Sequence, residues 1–493
     1  MTSPHFLSGE SHNPGDELTD GRSGGDRTSA PPRGRHLAGA VLLGLVLLSA
    51  VFGLLFTHLW YGPHELSDVF LGLDHATKVV HGAVPYRDFT FEYPPLVLPL
   101  ILLPGHTDSA AARLVDYRHS AHLAAYQRWF SWEMFFIAAA TLVLVSFTAG
   151  FIWRRTARIY QATIAYVVLV AAMGALVQNR FDIAVALLVA LTVMLLVRGA
   201  VTAAGFVVGL GFALKLLPVV LIVLVLAVAA GRRDALKAAW RPGALEAGGR
   251  RGISGTGGRR SVLWAGAACV VGALLPYLPF LVLSPAGVWR SFAYHSGRPL
   301  QIESVLATPL LIWHRLAGGA LEIRHTYGSH NVFTAGAGVA AACAGLLTLA
   351  ALVAVGLLIW RRRATLYGEP AKLALAALAL LLAAITFGKV MSPQYLIWLL
   401  PAAALVLVDD LSLGLVTMAA MLVTQVEFPA LYGSLLHLRL DAITVVAVRN
   451  GLLIVALALA ARRLWRLSPA NTGAGHLANT GAKPPAGAGA ESG

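Results

Sequence analysis

Apolar runs long enough to cross a lipid bilayer recur through this chain, and short clusters of arginine separate them. A water-soluble core cannot hide so many such runs, whereas a bilayer solvates them. The composition agrees, with 57% of the 493 residues hydrophobic and 13% charged, and a mean hydropathy of +0.70. The pattern predicts one all-α integral membrane protein, a polytopic bundle of about 12 transmembrane helices.

The spans read at Leu37–Phe56, Trp129–Ile152, Tyr160–Val177, Ile183–Val197, Val201–Ala230, Ser261–Leu283, Val332–Ile359, Ala371–Phe387, Tyr395–Val408, Leu411–Val426 and Ala442–Ala461. Basic residues gather at Arg154, Arg155 and Arg158, at Arg198, from Arg232 to Arg260, at Arg361–Arg363, and at Arg462, Arg463 and Arg466. The positive-inside rule assigns all of these to the cytoplasm. Alternation satisfies the rule only if Val201–Ala230 crosses an even number of times, as two short segments hinged near Lys215 and Pro218. Pro94–Pro104 is too short to cross and is expected to be re-entrant or interfacial.

The expected organisation is a disordered cytoplasmic tail at 1–36, a transmembrane core at 37–463 and a second disordered cytoplasmic tail at 464–493. The first apolar run carries no convincing cleavage site, so a multi-pass protein of the plasma membrane with both termini inside is expected. The net charge of +14 is spread over clusters between spans, which reads as topology signal and excludes a nucleic-acid face. Cys269 and Cys343 both fall in apolar runs and offer no disulfide framework or metal spacing.

Parity sends the unusual polar residues to the extracytoplasmic side. The first outer loop brings Asp68, Asp74, Asp88 and Glu92 close to the membrane, with Glu92 and Tyr93 held by Pro94 and Pro95. A carboxylate fixed there can deprotonate a hydroxyl, or bind a sugar or a metal; the bland alternative is that it solvates a loop. Asn179, Arg180 and Asp182 form a polar turn where Asn179 or Asp182 serves equally well as a helix cap. Lys215 lies in an apolar run, and either has a partner or snorkels to an interface. Tyr294–Ser304 supplies His295, Arg298, Gln301 and Glu303, while Gly388–Tyr395 supplies Lys389, Ser392, Gln394 and Tyr395. Lys215, Arg298 and Lys389 are cations able to hold a lipid phosphate. There is no Walker loop, no dinucleotide glycine pattern and no zinc spacing, so no cofactor is expected and a metal requirement stays open.

Five segments, GAVPYRDFTFEYPPL, NRFDIAVALLVAL, GLGFALKLLPVVL, HSGRPLQIES and GKVMSPQYLIWLLP, resemble in order those of glycosyltransferase family 87. These are GT-C membrane enzymes related to polyprenol-phosphate-mannose-dependent α-mannosyltransferases, and the similarity runs from about Leu37 to Arg463. The resemblance implies a GT-C-like bundle that takes a hexose, mannose above all, from a polyprenyl-monophosphate donor. A lipid or glycan acceptor would receive it with inversion, among membrane lipids and without nucleic acid. It also implies a base shortly after the first helix, which by position is Asp68. The chain has Gly72 where an aromatic residue often follows that Asp, which keeps Asp88 as a competitor. Glu92 and Tyr93 would line the site, Arg298 and Lys389 would meet phosphate, and Gln301, Glu303 and Gln394 would meet sugar or acceptor. A secondary transporter or flippase is the rival reading, since broken helices and intramembrane charges suit it too.

Overall fold

The computed structural model describes residues 33–56, 69–105, 121–239 and 257–468. Among them seven helices are long and apolar enough to cross a membrane: Gly34–Phe56, Leu123–Ile152, Thr156–Met173, Arg259–Leu283, Ala337–Arg361, Leu411–Ala430 and Leu440–Trp465. Shorter apolar helices, among them Asp182–Val197, Val201–Leu214 and Ala371–Thr386, pack between these. In hydrocarbon the backbone must satisfy its own hydrogen bonds, and apolar runs without breakers do so as helices.

Ala371–Thr386 is the hub, since every residue from Leu373 to Thr386 is buried. Its sequence is apolar on all sides, which is what a helix with no free face requires. The outer helices instead turn large side chains outward, including Leu263, Trp264, Val282 and Leu346. That exposure is what a lipid-facing surface needs.

A second packing device is a small-residue seam. Gly205 and Gly209 lie four residues apart on Val201–Leu214, against the helix Gly257–Leu274. A Cβ at Gly209 would meet the Cys269 carbonyl oxygen at 2.1 Å, and one at Gly205 would meet the Ala265 oxygen at 2.2 Å. From the other side, a Cβ at Gly272 would meet the Phe206 oxygen at 2.3 Å. Backbones this close leave room for hydrogen alone.

The expected break inside Val201–Ala230 is present. The helix stops at Leu214, Lys215 is extended with φ −157° and ψ 120°, and a 3₁₀ turn at Leu217–Leu221 leads into the helix Ile222–Ala239. Pro218 cannot supply the amide that a continuing helix needs. In the first loop the chain forms an amphipathic helix, Val69–Val80, then a short helix, Leu98–Gly105, tied to Tyr126 by its hydroxyl donating to the Ile101 carbonyl at 2.8 Å. That second helix is too short to span, in keeping with the expected re-entrant or interfacial segment.

The all-α membrane class holds, with one short hairpin beside the helices: strand β1 (Glu322–Thr326) pairs antiparallel with β2 (Ser329–Phe333) through a turn at Tyr327 and Gly328. One sequence reading needs correction, since the span expected from Val332 begins at Ala337 instead. Val332 and Phe333 are β-formers at the end of a strand, and their apolar character mimics the start of a span. Both expected tails fall largely in residues 1–32 and 469–493, outside the described residues.

The two ends of the bundle differ in chemistry. At one end arginines tie helix termini together: Arg158 to Asp409, Arg463 to Asp410, and Arg362 to the Trp465 carbonyl at 2.6 Å. At the other end the loops bond to one another. His295 Nε2 donates to the Glu92 carbonyl at 2.8 Å, Lys389 Nζ to the Ser296 carbonyl at 2.7 Å, and the Gln301 amide to the Lys389 carbonyl at 2.9 Å. Glu92 and Lys389 therefore share one end of the molecule.

Candidate functional site

The break at Lys215 creates the site. An ammonium released from the end of one helix meets Asp182 at the start of another, donating to both carboxylate oxygens at 3.0 Å. Trp398 Nε1 donates to the same carboxylate at 2.7 Å, so Asp182, 1% exposed, is fully engaged. Phe181 and Tyr395 present their rings to the ammonium at 4.4 and 5.9 Å. Lys215 thus has a partner rather than snorkelling to an interface, and Asp182 is not a cap. An ion pair of this kind is net neutral, which lets it persist away from water.

Around the pair lies a small, partly open cavity. Its polar wall includes Asn179, Arg180, Asp182, Lys215, Tyr93 and Gln394, and its apolar wall includes Val69, Ile101, Tyr126 and Phe130. The Tyr93 ring stands edge-on to Phe181 at 5.3 Å. Five residues singled out from the sequence, Tyr93, Arg180, Asp182, Lys215 and Gln394, therefore line one cavity.

Beside it, the first loop is clamped to the helix Pro285–Gly297. The Glu92 carbonyl accepts from His295 and, at 3.3 Å, from the Ser291 hydroxyl. The Tyr86 hydroxyl donates to the Tyr93 carbonyl at 2.5 Å, while the Tyr86 carbonyl accepts from Ser284 at 3.1 Å. Tyr86 has φ 67°, a left-handed conformation that its bonding on both sides sustains. Gly287 lets the helix approach, since a Cβ there would meet the Tyr86 oxygen at 1.8 Å. The Glu92 side chain is 18% exposed and lies 3.9 Å from His75 Nε2. Burial raises its pKa above the usual carboxylate value, with Lys78 and Arg298 pulling it back. Burial likewise lowers His295 and holds His75 at about 4, so both rings are neutral at pH 7.

Arg298 is the electrostatic hub of this end, acting on Glu92, Lys215, His295 and Lys389. It donates to Ser329 at 3.0 Å, while its Nε has no acceptor. Lys215 is paired with Asp182, whereas Arg298 and Lys389 join no ion pair among the described residues and bond to Ser329 and to the Ser296 carbonyl. Burial first, then Arg298, lowers the basicity of Lys389.

Other sequence candidates stand elsewhere. Asp88 is exposed, accepts from Arg87 and the Val84 amide, and is held at about 2, chiefly by the Arg87 hydrogen bond. It is not part of the cavity wall. Asp68 lies outside the described residues, although it is joined directly to Val69 of the wall. Ser392 donates to the Gln394 amide oxygen at 2.5 Å and so fixes that side chain. Gln301 and Glu303 are buried behind the cavity in a network with Glu427, Arg449 and Asn450. Those last three, and Trp398 and His75, escaped the sequence reading. Arg449 and Asn450 inside an apolar span were the available signal.

Among the described residues no group of three or more His, Cys, Asp or Glu side chains is placed to hold a metal ion. No protein-family model matches the chain, and no curated protein matches it.

Proposed function

We propose that the chain is a membrane glycosyltransferase of the GT-C type, resembling glycosyltransferase family 87. In this reading it moves a hexose, mannose first, from a polyprenyl monophosphate to a lipid or glycan acceptor on the extracytoplasmic face of the plasma membrane. The observation that supports it is the mixed wall of one cavity, in which Arg180 is set among Val69, Ile101 and Phe130. A prenyl phosphate needs that combination of cationic and apolar contacts.

In the proposed reaction a carboxylate takes the proton of the acceptor hydroxyl. The oxygen attacks the anomeric carbon, the bond from that carbon to the phosphate oxygen breaks, and polyprenyl phosphate leaves. Charge builds on that phosphate as the sugar gains oxocarbenium character, so cations fixed beside it stabilise the transition state. Arg298 and Arg180 fill that role in the proposal. Asp68 and Glu92 are the candidate bases, because Asp88 is held ionised by Arg87 and is a weak proton acceptor. Tyr93 and Gln394 would orient the sugar or acceptor.

Purified protein in lipid discs, given labelled polyprenyl-phosphate mannose, is expected to label membrane lipid or glycan. Asp68→Asn or Glu92→Gln should remove that labelling, with Asp88→Asn retaining most of it. Absence of transfer from the mannose donor and from a polyprenyl-phosphate pentose donor supplied in parallel would reject the enzyme. The broken helix with its charge pair also fits a transporter. Donor flipping across proteoliposomes without sugar transfer would favour that second reading.

A further inference from the structure

Behind the cavity, on a part of the molecule that the proposed reaction does not use, five polar side chains are sealed from solvent. Gln301 is 3% exposed, Glu303 1%, Glu427 1%, Arg449 0% and Asn450 3%. They come from three separate segments: the loop after the helix Pro285–Gly297, the kinked turn Val426–Ala430 and the helix Leu440–Trp465.

The charges do not balance. Arg449 donates to the Glu427 carboxylate at 2.9 Å and to the Glu303 main-chain carbonyl at 2.8 Å. The Glu303 carboxylate receives only the Gln301 amide. Two carboxylates and one guanidinium leave an excess of one negative charge, and a sealed, unpaired charge is costly. Arg180 acts on Glu303 more weakly than Glu427 and Arg449 do, and faces the cavity.

The oxygens are unmatched as well. Gln301 Oε1, Glu303 Oε1, Glu427 Oε2 and Asn450 Oδ1 are buried without a donor, while Arg449 Nε and Nη1 are buried without an acceptor, so oxygens outnumber donors among the unmatched atoms. The amide orientations are not interchangeable. Asn450 Nδ2 donates to the Glu303 carbonyl at 3.3 Å and to Thr308 Oγ1 at 2.9 Å, and Gln301 Nε2 donates to Glu303, so rotating either amide would set oxygen against oxygen.

We propose that this cluster is a binding site for one monovalent cation of the sodium kind, held by the carboxylate oxygens of Glu303 and Glu427 and the amide oxygens of Gln301 and Asn450. Hard cations take oxygen ligands of this mixture. One positive charge brings the cluster to neutrality, whereas a divalent ion would leave an excess charge beside Arg449. The ion would fasten the loop at 301–304, the turn at 427 and the helix at 449–450 to each other.

The test is thermal unfolding of the full chain in detergent at pH 7.5, with choline chloride replaced stepwise by sodium chloride at constant ionic strength. A saturable rise in Tm of a few degrees is expected with sodium. Magnesium chloride at the same ionic strength should give a smaller rise. Glu303→Gln and Glu427→Gln should each lose the sodium response, whereas Glu322→Gln on the exposed hairpin should keep it. If either variant fails to fold, the wild-type titration still decides. A Tm indifferent to sodium overturns the proposal, and so does a response retained in both variants. A Tm that follows pH but not sodium also overturns it, and assigns the cluster a shared proton. None of these readouts depends on sugar transfer.

Discussion

Asp182 and Lys215 each arise from a different helix end and neither is tolerable alone. Lys215→Met would strand Asp182, leaving a buried carboxylate bonded only to Trp398. Breaking such a pair costs about 3 kcal/mol or more. The double variant Asp182→Asn, Lys215→Met is expected to recover most of that stability, which a double-mutant cycle of unfolding free energies would measure. His75 gives a second residue-scale expectation. Its folded value of about 4 lies below the ordinary 6.5, so the unfolded chain binds the extra proton first. Stability from this group is fully present above pH 6.5, falls as pH drops toward 4, and amounts to about 3 kcal/mol. The acid limb of the unfolding midpoint should flatten in His75→Leu; an unchanged limb would assign the titration to another group.

At the scale of elements, the bundle depends on places where helices stop as much as on where they run. The break before Pro218 exposes Lys215, and the start of Asp182–Val197 presents its partner. The seam of Gly205, Gly209 and Gly272 brings the neighbouring helices into backbone contact. Gly209→Leu should destabilise the protein by about 2 kcal/mol, because the Cys269 carbonyl is main chain and cannot yield. Gly266→Leu, a position with nothing near its Cβ, is the matched control and should leave the unfolding midpoint close to wild type. Equal losses in both variants would mean that helix propensity, not close approach, governs the seam.

For the whole molecule, the polar loops gather at one end and the arginine ties at the other. If the bundle crosses a bilayer as proposed, single cysteines at Lys389 and Arg298 should react with an impermeant thiol reagent from one side, and a cysteine at Arg361 from the opposite side. The background is a chain with Cys269 and Cys343 replaced by alanine. Labelling of positions 389 and 361 from the same side would break the arrangement. Both cation-bearing loops and the first loop must open to one compartment for a lipid-linked substrate to meet them together.

The amino-acid sequence by itself determined the membrane class, most helix positions and the break near Lys215, because apolar periodicity, span length and proline act locally. It also nominated Tyr93, Arg180, Asp182, Lys215 and Gln394, since ionisable and aromatic residues beside spans are few. Only the tertiary structure paired Asp182 with Lys215, turned Asp88 outward onto Arg87, and withdrew Gln301 and Glu303 into the company of Glu427, Arg449 and Asn450. It alone separated β2 from the span that follows. The reason is range: helix formation is decided within a few residues, whereas the partner of a buried charge lies tens to more than a hundred residues away. That choice is made by how the helices pack, and local pattern does not encode it.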